Sequence, residues 1–403
     1  MQTKEGKPMT QIIKHPKHKL EVADILRQHV HEYRQAYPLL PEHKKIVSSV
    51  LNCRTPYLGG HVERCDSCGT KRVTYHSCRN RHCPKCQQIP RERWTEARKQ
   101  ELLPTSYFHV IFTLPHELNT IVLNNKSAMF ALLFKAVSQT LLTFGKNELG
   151  GKLGFISVLH TWDQKLNAHF HLHCLIVGGA ISNDGNRFLR CKKNYLFNQE
   201  ALSLVFRGKF IDLLTRSVKR GEISFGNGFE SFKNTLYTHK WVVSVRKPIK
   251  RPYHVLEYIA RYTHRVAIAN SRIKSLDRGK VIFNTKDRKK DKIVPITVTA
   301  VEFIRRFLLH SLPSGFVRIR HYGFLANRNR NANLEKIRHL LKMPSMPAKI
   351  ALSIEEMVLK LTKIDITKCP CCKTGTMQFV ADLPLYGGKH PPIRPPNYKA
   401  HSI

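Results

Sequence analysis

Three histidines at alternate positions are the residues best suited to chemistry in this chain. His169, His171 and His173 lie between Ala168 and Val177, where the sequence AHFHLHCLIV is typical of a β-strand. Side chains two apart on a strand leave the same face, roughly 6.6 Å from each other, within reach of one metal ion. Imidazole is the commonest protein metal ligand. The pattern predicts a metal site, and the alternative is a half-exposed strand whose polar positions are histidines.

Two tyrosines form a second candidate site. The sequence between Tyr253 and Arg265 predicts a helix that carries Tyr258 and Tyr262 one turn apart on one face, with Arg261 beside them. Tyr262 also extends an apolar stripe, so a core position is the alternative for this residue. Arginines bind phosphate, and a metal that polarises a phosphodiester offsets the poor nucleophilicity of a phenol. Together these residues predict attack of a tyrosine on DNA, which conserves the bond energy in a phosphotyrosine.

Cysteine pairs near the N-terminus predict bound zinc. Cys65 and Cys68, and then Cys83 and Cys86, have the spacing of two knuckles that hold one tetrahedral ion. We expect a single zinc site with these four thiolate ligands rather than a redox motif, which occurs singly after a strand. Further residues could form a second zinc site or an alternative ligand set, namely His61, Cys78 and His82, with Cys53 and His76 further away.

A third cysteine pair lies near the C-terminus. Cys369 and Cys372, in the sequence CPCCKTGTM, have the spacing of half a zinc ribbon, with Cys371 between them, and no second pair follows. Two interpretations stay open: a distant pair completes the site, or the knuckle binds no metal. Cys174 and Cys191 are expected to be small buried side chains.

The charge of the chain favours a polyanionic partner. Its 403 residues include 68 Lys+Arg and 28 Asp+Glu, which give a formal net charge of +40 and a pI of about 10.1. This excess is larger than solubility requires and favours nucleic acid. No run of about 18 apolar residues predicts a membrane span, and the N-terminus lacks the apolar core of a signal peptide. Eleven cysteines without a secretion signal therefore indicate metal binding in the reducing cytoplasm.

Strands and helices must alternate to position these groups. Residue periodicity predicts helices at 20–37, 42–53, 118–144, 200–220, 253–265 and 300–309, and strands at 107–114, 153–161, 168–177, 240–245, 281–284 and 293–297. This order predicts an α+β fold, in which helices pack on a sheet.

Several segments resemble known families. The sequence HLHCLIVGG from His171, preceded by TWDQ, which ends at Gln164, resembles the His-hydrophobic-His motif of HUH single-strand endonucleases. EYIARYTHRVAIAN from Glu257, FIRRFLLHSLPSGFVRIRHYGFLANRNR from Phe303 and SCRNRHCPKCQ from Ser77 resemble the zinc-containing rolling-circle transposases of the insertion-sequence-91 family. The similarity runs from about residue 40 to residue 380.

The resemblance implies an HUH endonuclease fold, an antiparallel sheet with packed helices, preceded by a small zinc-binding domain. It implies a metal-dependent enzyme that nicks and rejoins single-stranded DNA at insertion-sequence ends through a 5′-phosphotyrosine, as in rolling-circle transposition. The implied cofactors are catalytic Mg or Mn and structural Zn. The implied partners are single-stranded DNA at element ends and a host helicase, because the chain has no Walker loop. We expect no membrane partner and a cytoplasmic, nucleoid-associated bacterial protein.

The resemblance also assigns residues. It implies that Tyr258 and Tyr262 are the nucleophiles. It implies that His171 and His173 bind the catalytic metal, with Gln164 or His169 as the third ligand. The implied zinc ligands are Cys65, Cys68, Cys83 and Cys86. Basic residues expected to bind DNA are Arg261, Arg265, Arg318, Arg320, Arg328 and Arg330.

Six parts are expected along the chain. They are an N-terminal helical arm (1–40), the zinc-binding domain (41–90), the nuclease domain (91–310), a basic helical DNA-binding extension (311–368), the Cys knuckle (369–382) and a flexible tail (383–403).

Two other functions share part of this pattern. A replication initiator or conjugative relaxase would have the histidine strand and the tyrosine, and would usually bring a helicase or primase. A non-enzymatic zinc-finger DNA-binding protein would have the cysteines, with the histidine and tyrosine patterns arising by chance. A magnesium-dependent nicking assay separates the enzymes from the binding protein.

Overall fold

Three antiparallel sheets organise the chain in a computed structural model, which describes residues 19–249, 254–255, 260, 263–264, 266–287, 290–347 and 352–386. The strands are β1 (Gly60–Cys65), β2 (Lys71–Tyr75), β3 (Tyr107–Thr113), β4 (Gly151–Trp162), β5 (Ala168–Ser182), β6 (Phe188–Arg190), β7 (Val242–Val245), β8 (Ile273–Asp277), β9 (Lys280–Asp287), β10 (Lys292–Thr299), β11 (Ile319–Gly323) and β12 (Met377–Leu383). The described helices are α1 (Val22–Ala36), α2 (Pro41–Asn52), α3 (Gln88–Lys99), α4 (Asn119–Asn124), α5 (Lys126–Leu149), α6 (Gln199–Lys219), α7 (Phe229–Thr238), α8 (Ala300–Leu309), α9 (Arg330–Leu340) and α10 (Ile354–Thr362).

The central sheet has the strand order β11-β4-β5-β3-β7, with β6 paired to the end of β5. All of these pairs are antiparallel, so the predicted α+β fold with an antiparallel sheet is confirmed. The alternation in β5 places Phe170, Leu172, Cys174 and Ile176 in a core shared with α5 and α6. His171 and the other odd-numbered residues of this stretch therefore lie on the opposite face.

The predicted helix at 118–144 is two helices in the structure. Asn125 adopts a non-helical conformation between α4 and α5, with φ −129° and ψ 41°. The second helix continues beyond the predicted end and stops where Gly150 takes a left-handed conformation, a common helix terminator. By length and composition α5 could cross a membrane, but 67% of its most apolar window is buried in the fold. Its apolar residues are accounted for by the core.

The N-terminal helices pack on a smaller sheet of order β10-β9-β8. Ile25 and Leu26 of α1 share a core with Phe283 of β9 and Phe303 of α8. This core joins residues from the expected N-terminal arm to residues near 300.

A third sheet, of order β12-β1-β2, combines the two ends of the chain. β1 pairs with β2 in a hairpin, and its other edge pairs with β12, where Gly60 lies opposite Leu383 and Cys65 opposite Met377. β2 and β12 are mostly exposed and β1 is mostly half-buried. All three strands are short and lack apolar alternation, which explains why periodicity did not predict them.

Candidate active site and metal centres

Two neighbouring strands bring three buried imidazoles together. His160 on β4 lies directly opposite His171 on β5, and His173 is two residues further along β5. The Nε2 atoms of His171 and His173 are 3.1 Å apart. Each of the three histidines has a ring nitrogen within 4.8 Å of the corresponding atoms of the other two. This arrangement could hold a metal ion.

The outer ring nitrogens hold these imidazoles in place. His171 Nδ1–H donates to the carbonyl of His169 at 2.9 Å, so Nε2 of His171 is the nitrogen whose lone pair can bind a metal. His173 Nδ1 lies 2.8 Å from Nε2 of His109, which comes from β3. Burial, with a contribution from Arg246, lowers the pKa of His109 to about 4, so this ring is neutral at neutral pH. A neutral His109 can accept the proton of His173 Nδ1.

The turn between β4 and β5, together with a register shift beside it, sets how these histidines pair. Asp163 Oδ1 accepts hydrogen bonds from the backbone N–H groups of Lys165 and Asn167, both at 2.8 Å. Leu166 completes the turn with a φ of 64° and a fully buried side chain. The turn pairs Trp162 with Ala168, and a register shift between His160 and Trp162 then places His160 opposite His171.

His169 and Gln164, which were predicted as the third ligand of the catalytic metal, are placed differently from His160. His169 is exposed and is not a member of the three-histidine cluster, although its backbone carbonyl orients His171. Gln164 lies in the turn, where its carbonyl accepts from the guanidinium of Arg272. His160 was not identified from the sequence. The predicted hairpin was only a partial signal, because regular pairing continued from Trp162 and Ala168 would place residue 160 opposite residue 170. The register shift that moves it opposite His171 has no signal in the local sequence.

The predicted nucleophiles Tyr258 and Tyr262 lie outside the described residues, as do Arg261 and Arg265. The described residues on either side of the tyrosines are informative. Val255 is fully buried in a cluster with Val158, Leu175 and Val177. Val158 pairs with His173, and Leu175 and Val177 alternate with it on β5, so this cluster lies on the histidine face of the sheet.

The predicted zinc ligands do not form one site. Cys65 and Cys68 lie at the turn that joins β1 to β2, whereas Cys83 and Cys86 fold back against the end of α2. The hairpin extends roughly 17 Å between these two positions, given its five-residue strands. The pairs are therefore divided between two clusters, and the expected grouping is wrong.

One cluster contains Cys53, Cys78, Cys83 and Cys86. Cys86 Sγ is 3.4 Å from Cys53 Sγ and 3.6 Å from Cys78 Sγ, close to the separation of about 3.8 Å between ligands of a tetrahedral zinc thiolate site. Hydrogen bonds from the neighbouring thiols, Cys78 first, lower the pKa of Cys53 to about 7. Four thiols at this spacing are a suitable ligand set for zinc.

The other cluster contains Cys65 and Cys68 with Cys369 and Cys372 from the C-terminal knuckle. A distant pair thus meets this knuckle, which was one of the two interpretations left open.

His61 and His82 belong to neither cysteine cluster. His61 lies beside Glu63, with 3.7 Å between Nε2 and the carboxylate. His82 contacts Asn80 and accepts from the backbone N–H of Leu312. Burial, together with Arg81, lowers the pKa of His82 to about 3, so it is a neutral buried acceptor.

The four described arginines expected to bind DNA differ in their surroundings. Arg328 is exposed, and Arg320 stacks over the ring of Phe134 at 4.2 Å. Burial, with a contribution from Arg81, lowers the pKa of Arg318 to about 10. Arg330 lies 3.3 Å from the carboxylate of Glu101. Arg328 is therefore the most accessible of these four, whereas an ion pair with Glu101 holds Arg330.

Comparisons with known proteins agree with this arrangement. The profile of the family described as "Transposase zinc-binding domain" matches residues 25–114, which include six of the clustered cysteines. The profile of the family described as "Putative transposase" matches residues 154–333, which include the three histidines. No solved structure matches the chain.

Two relatives match along most of the chain. The protein named "Putative transposase y4qJ" from Sinorhizobium fredii (strain NBRC 101917 / NGR234) is 42% identical over 374 residues, covering 89% of this chain and 94% of that protein. The transposase for insertion sequence element IS801 from Pseudomonas savastanoi pv. phaseolicola is 25% identical over 342 residues, covering 81% of this chain and 80% of that protein. This family acts on DNA as an endonuclease and strand transferase. The chain belongs to the zinc-containing transposases of the insertion-sequence-91 family.

Proposed function

We propose that this transposase nicks and rejoins single-stranded DNA at the ends of an insertion sequence through a 5′-phosphotyrosine intermediate, as in rolling-circle transposition. Tyr258 and Tyr262 are the nucleophiles, and His160, His171 and His173 hold the catalytic metal. The observation that carries the proposal is the cluster of three buried imidazoles on the sheet face against which Val255 packs. Val255 precedes the first tyrosine by three residues.

The donor set favours one metal over another. Imidazole nitrogen binds transition metals, whereas Mg²⁺ prefers oxygen ligands and retains several waters. Three buried imidazoles are therefore better suited to Mn²⁺ than to Mg²⁺. When bound, the metal would polarise the scissile phosphate and neutralise charge that develops during attack.

The chain itself supplies the covalent chemistry. The phenolic oxygen of one tyrosine forms a bond to phosphorus and loses its proton, while the bond from phosphorus to the 3′ oxygen breaks and that oxygen gains a proton. The DNA 5′ end is then joined to the protein. A 3′ hydroxyl later attacks the phosphotyrosine and restores both a phosphodiester and the phenol, so no nucleotide hydrolysis is needed. A second tyrosine one turn away permits a second transfer before the first end is released.

The net charge and the sequence also support proposals about DNA contacts, a partner and a location. The net charge of +40 supplies nonspecific attraction to DNA phosphates, and Arg318, Arg320 and Arg328 are proposed to contact the strand. We propose a host helicase as the partner that exposes single strands, and a cytoplasmic location associated with the nucleoid.

Covalent trapping tests the proposal. A labelled single-stranded oligonucleotide carrying an element end should form a denaturation-resistant adduct with the protein in Mn²⁺. The variant Tyr258→Phe, Tyr262→Phe removes both hydroxyls and keeps both rings, so folding should persist and the adduct should disappear. Tyr195→Phe is the control, because Tyr195 is an exposed tyrosine in the segment between β6 and α6. An undiminished adduct in the double variant would exclude these tyrosines as nucleophiles.

The histidines are tested in the same assay. The variant His171→Ala, His173→Ala should lose cleavage but keep most DNA affinity, because lysine and arginine contacts with phosphates supply that affinity. Normal cleavage by this variant would show that the imidazole cluster has only a structural role.

A further inference from the structure

Two cysteine knuckles separated by about 300 residues meet at one end of the sheet β12-β1-β2. Cys68 Sγ lies 3.6 Å from Cys369 Sγ, and Cys65 Sγ lies 3.7 Å from Cys372 Sγ. All four cysteines are free. The first pair is in the segment matched by the zinc-binding family profile, and the second pair is far beyond it.

The spacing of these sulfur atoms fits a metal better than a disulfide. Tetrahedral zinc with Zn–S bonds of about 2.3 Å places its ligands about 3.8 Å apart. Bonded sulfurs would be about 2.05 Å apart. The four sulfurs all lie within 4.8 Å of one another, so a single ion between them could contact all four.

The two knuckles share a backbone hydrogen bond. Gly69 N–H donates to the carbonyl of Cys65, and Lys373 N–H donates to the carbonyl of Cys369, both at 3.1 Å. In each knuckle one N–H also points to the sulfur of the first cysteine, from Cys68 at 3.5 Å and from Cys371 at 3.4 Å. The residue after each pair takes a left-handed conformation, with a φ of 71° for Gly69 and 66° for Lys373. A lysine adopts this conformation only where the surrounding structure requires it. Both turns are therefore shaped around their sulfur atoms.

Backbone contacts lock the knuckles to each other. Asp66 N–H donates to the carbonyl of Thr376 at 3.1 Å, and Thr376 N–H donates to the Asp66 carboxylate at 2.9 Å. Gly375 approaches so closely that a Cβ at this position would lie 2.3 Å from Cys65 Sγ. Only glycine permits this approach, which brings its N–H to 3.3 Å from Cys372 Sγ.

We propose that Cys65, Cys68, Cys369 and Cys372 bind a structural zinc ion that makes the C-terminal knuckle and β12 part of the N-terminal zinc-binding domain. The chain then carries two zinc ions with separate ligand sets, and the nuclease region lies between the two halves of one of these sites. The proposal does not depend on the chemistry proposed for the tyrosines.

Metal counting on the purified full chain tests the proposal. Wild-type protein should contain two zinc ions per chain by elemental analysis. The variant Cys369→Ser, Cys372→Ser should contain one. Cys371→Ser is the matched control, because Cys371 is exposed, lies between these ligands and is outside the cluster; it should contain two. One zinc ion in the wild type, or two in the Cys369→Ser, Cys372→Ser variant, would overturn the proposal.

A second measurement separates a shared site from two independent sites. Cys65→Ser with Cys68→Ser should also remove one zinc ion, and combining all four substitutions should remove no more than either pair alone. Loss of two ions in the fourfold variant would overturn the shared site. Hydrogen exchange should show faster exchange in residues 60–75 when only Cys369 and Cys372 are replaced. Unchanged protection there would show that the C-terminal knuckle does not support the N-terminal strands.

If these variants fail to fold, cobalt substitution of the wild-type protein provides the same test. Two cobalt ions per chain, each with the thiolate charge-transfer band of a tetrahedral sulfur site, would support the proposal. One such ion per chain would overturn it.

Discussion

His160 approaches the candidate metal position from a different strand than His171 and His173. A ligand from β4 would fix a bound metal relative to two strands, so the metal would resist displacement along either one. We expect His160→Ala to weaken Mn²⁺ binding and adduct formation by about 100-fold, since even the loss of a second-shell partner costs 10–100-fold. His169→Ala should bind Mn²⁺ nearly as the wild type does, because the backbone carbonyl that orients His171 is retained.

The measurement is a titration of Mn²⁺ into each variant, followed by electron paramagnetic resonance of the free ion. The reverse order of effects, with His169→Ala the weaker binder, would identify His169 as the third ligand instead of His160.

The histidines show which part of a site can be predicted from local sequence. His171 and His173 belong to one strand, so their spacing alone indicates a shared face. His160 belongs to the neighbouring strand, and its position depends on the turn at Asp163 and on the register shift between His160 and Trp162. The cysteines show the same limit, because the partners of Cys65 and Cys68 are set by the pairing of β1 with β12 rather than by spacing.

At the scale of elements, the edge strand β11 depends on a close contact between backbones. Gly323 has a φ of 65°, and a Cβ there would lie 1.5 Å from the carbonyl oxygen of Leu153 on β4. Gly315 has a similar φ of 69° but nothing within 4 Å of the corresponding position. The two glycines differ in the space around them and share the same backbone strain.

We expect Gly323→Ala to destabilise the protein by about 3 kcal/mol more than Gly315→Ala does. Each alanine costs about 1–2 kcal/mol for its left-handed conformation, and the contact with Leu153 is an additional cost at residue 323 alone. At roughly 2.1 cal/mol/K per residue, the unfolding entropy of a chain of this length is about 0.8 kcal/mol/K, so the melting temperature should differ by about 3–4 °C. Scanning calorimetry at one scan rate measures this difference, and equal melting temperatures would mean that β11 moves away without cost.

Most elements of the nuclease region could be predicted because each has its own periodicity. The strands at 107–113 and 168–182 and the helices at 199–219 and 300–309 lie at or near their predicted positions. The sheet β12-β1-β2 could not be predicted, because its strands are short, lack apolar alternation and include β12, which comes from far away in sequence. The break at Asn125 was also missed, since the apolar pattern continues on both sides of it.

At the scale of the whole molecule, the net positive charge and the folded surface contribute separately to DNA binding. Cys83 and Cys86 pack in the core that contains α1, α2 and the sheet β10-β9-β8. Replacing both by serine should remove one zinc ion and loosen this region, which weakens binding to element DNA more than binding to random DNA. The reason is that base contacts need a folded surface, whereas phosphate contacts need only charge.

A competition titration against random oligonucleotide measures this preference, with Cys191→Ser as the control because Cys191 is outside both cysteine clusters. The logarithm of nonspecific affinity should still fall by about 0.7 per neutralised phosphate for each tenfold rise in salt. A zinc-depleted variant with the wild-type preference would show that the nuclease region alone reads the sequence.

Cys68 and Cys369 lie close together in the fold but are synthesised at different times. These residues are 301 positions apart, and translation at about 5–20 residues per second separates their appearance by roughly 15–60 s. During this interval the first pair of thiols has left the ribosome without its partners, while the central sheet can already fold. A chain that stops before Cys369 would carry the histidines and tyrosines but not the completed second cysteine cluster. Only a chain translated as far as the C-terminal knuckle could complete the shared zinc site. A chain from an interrupted copy of the element would lack it.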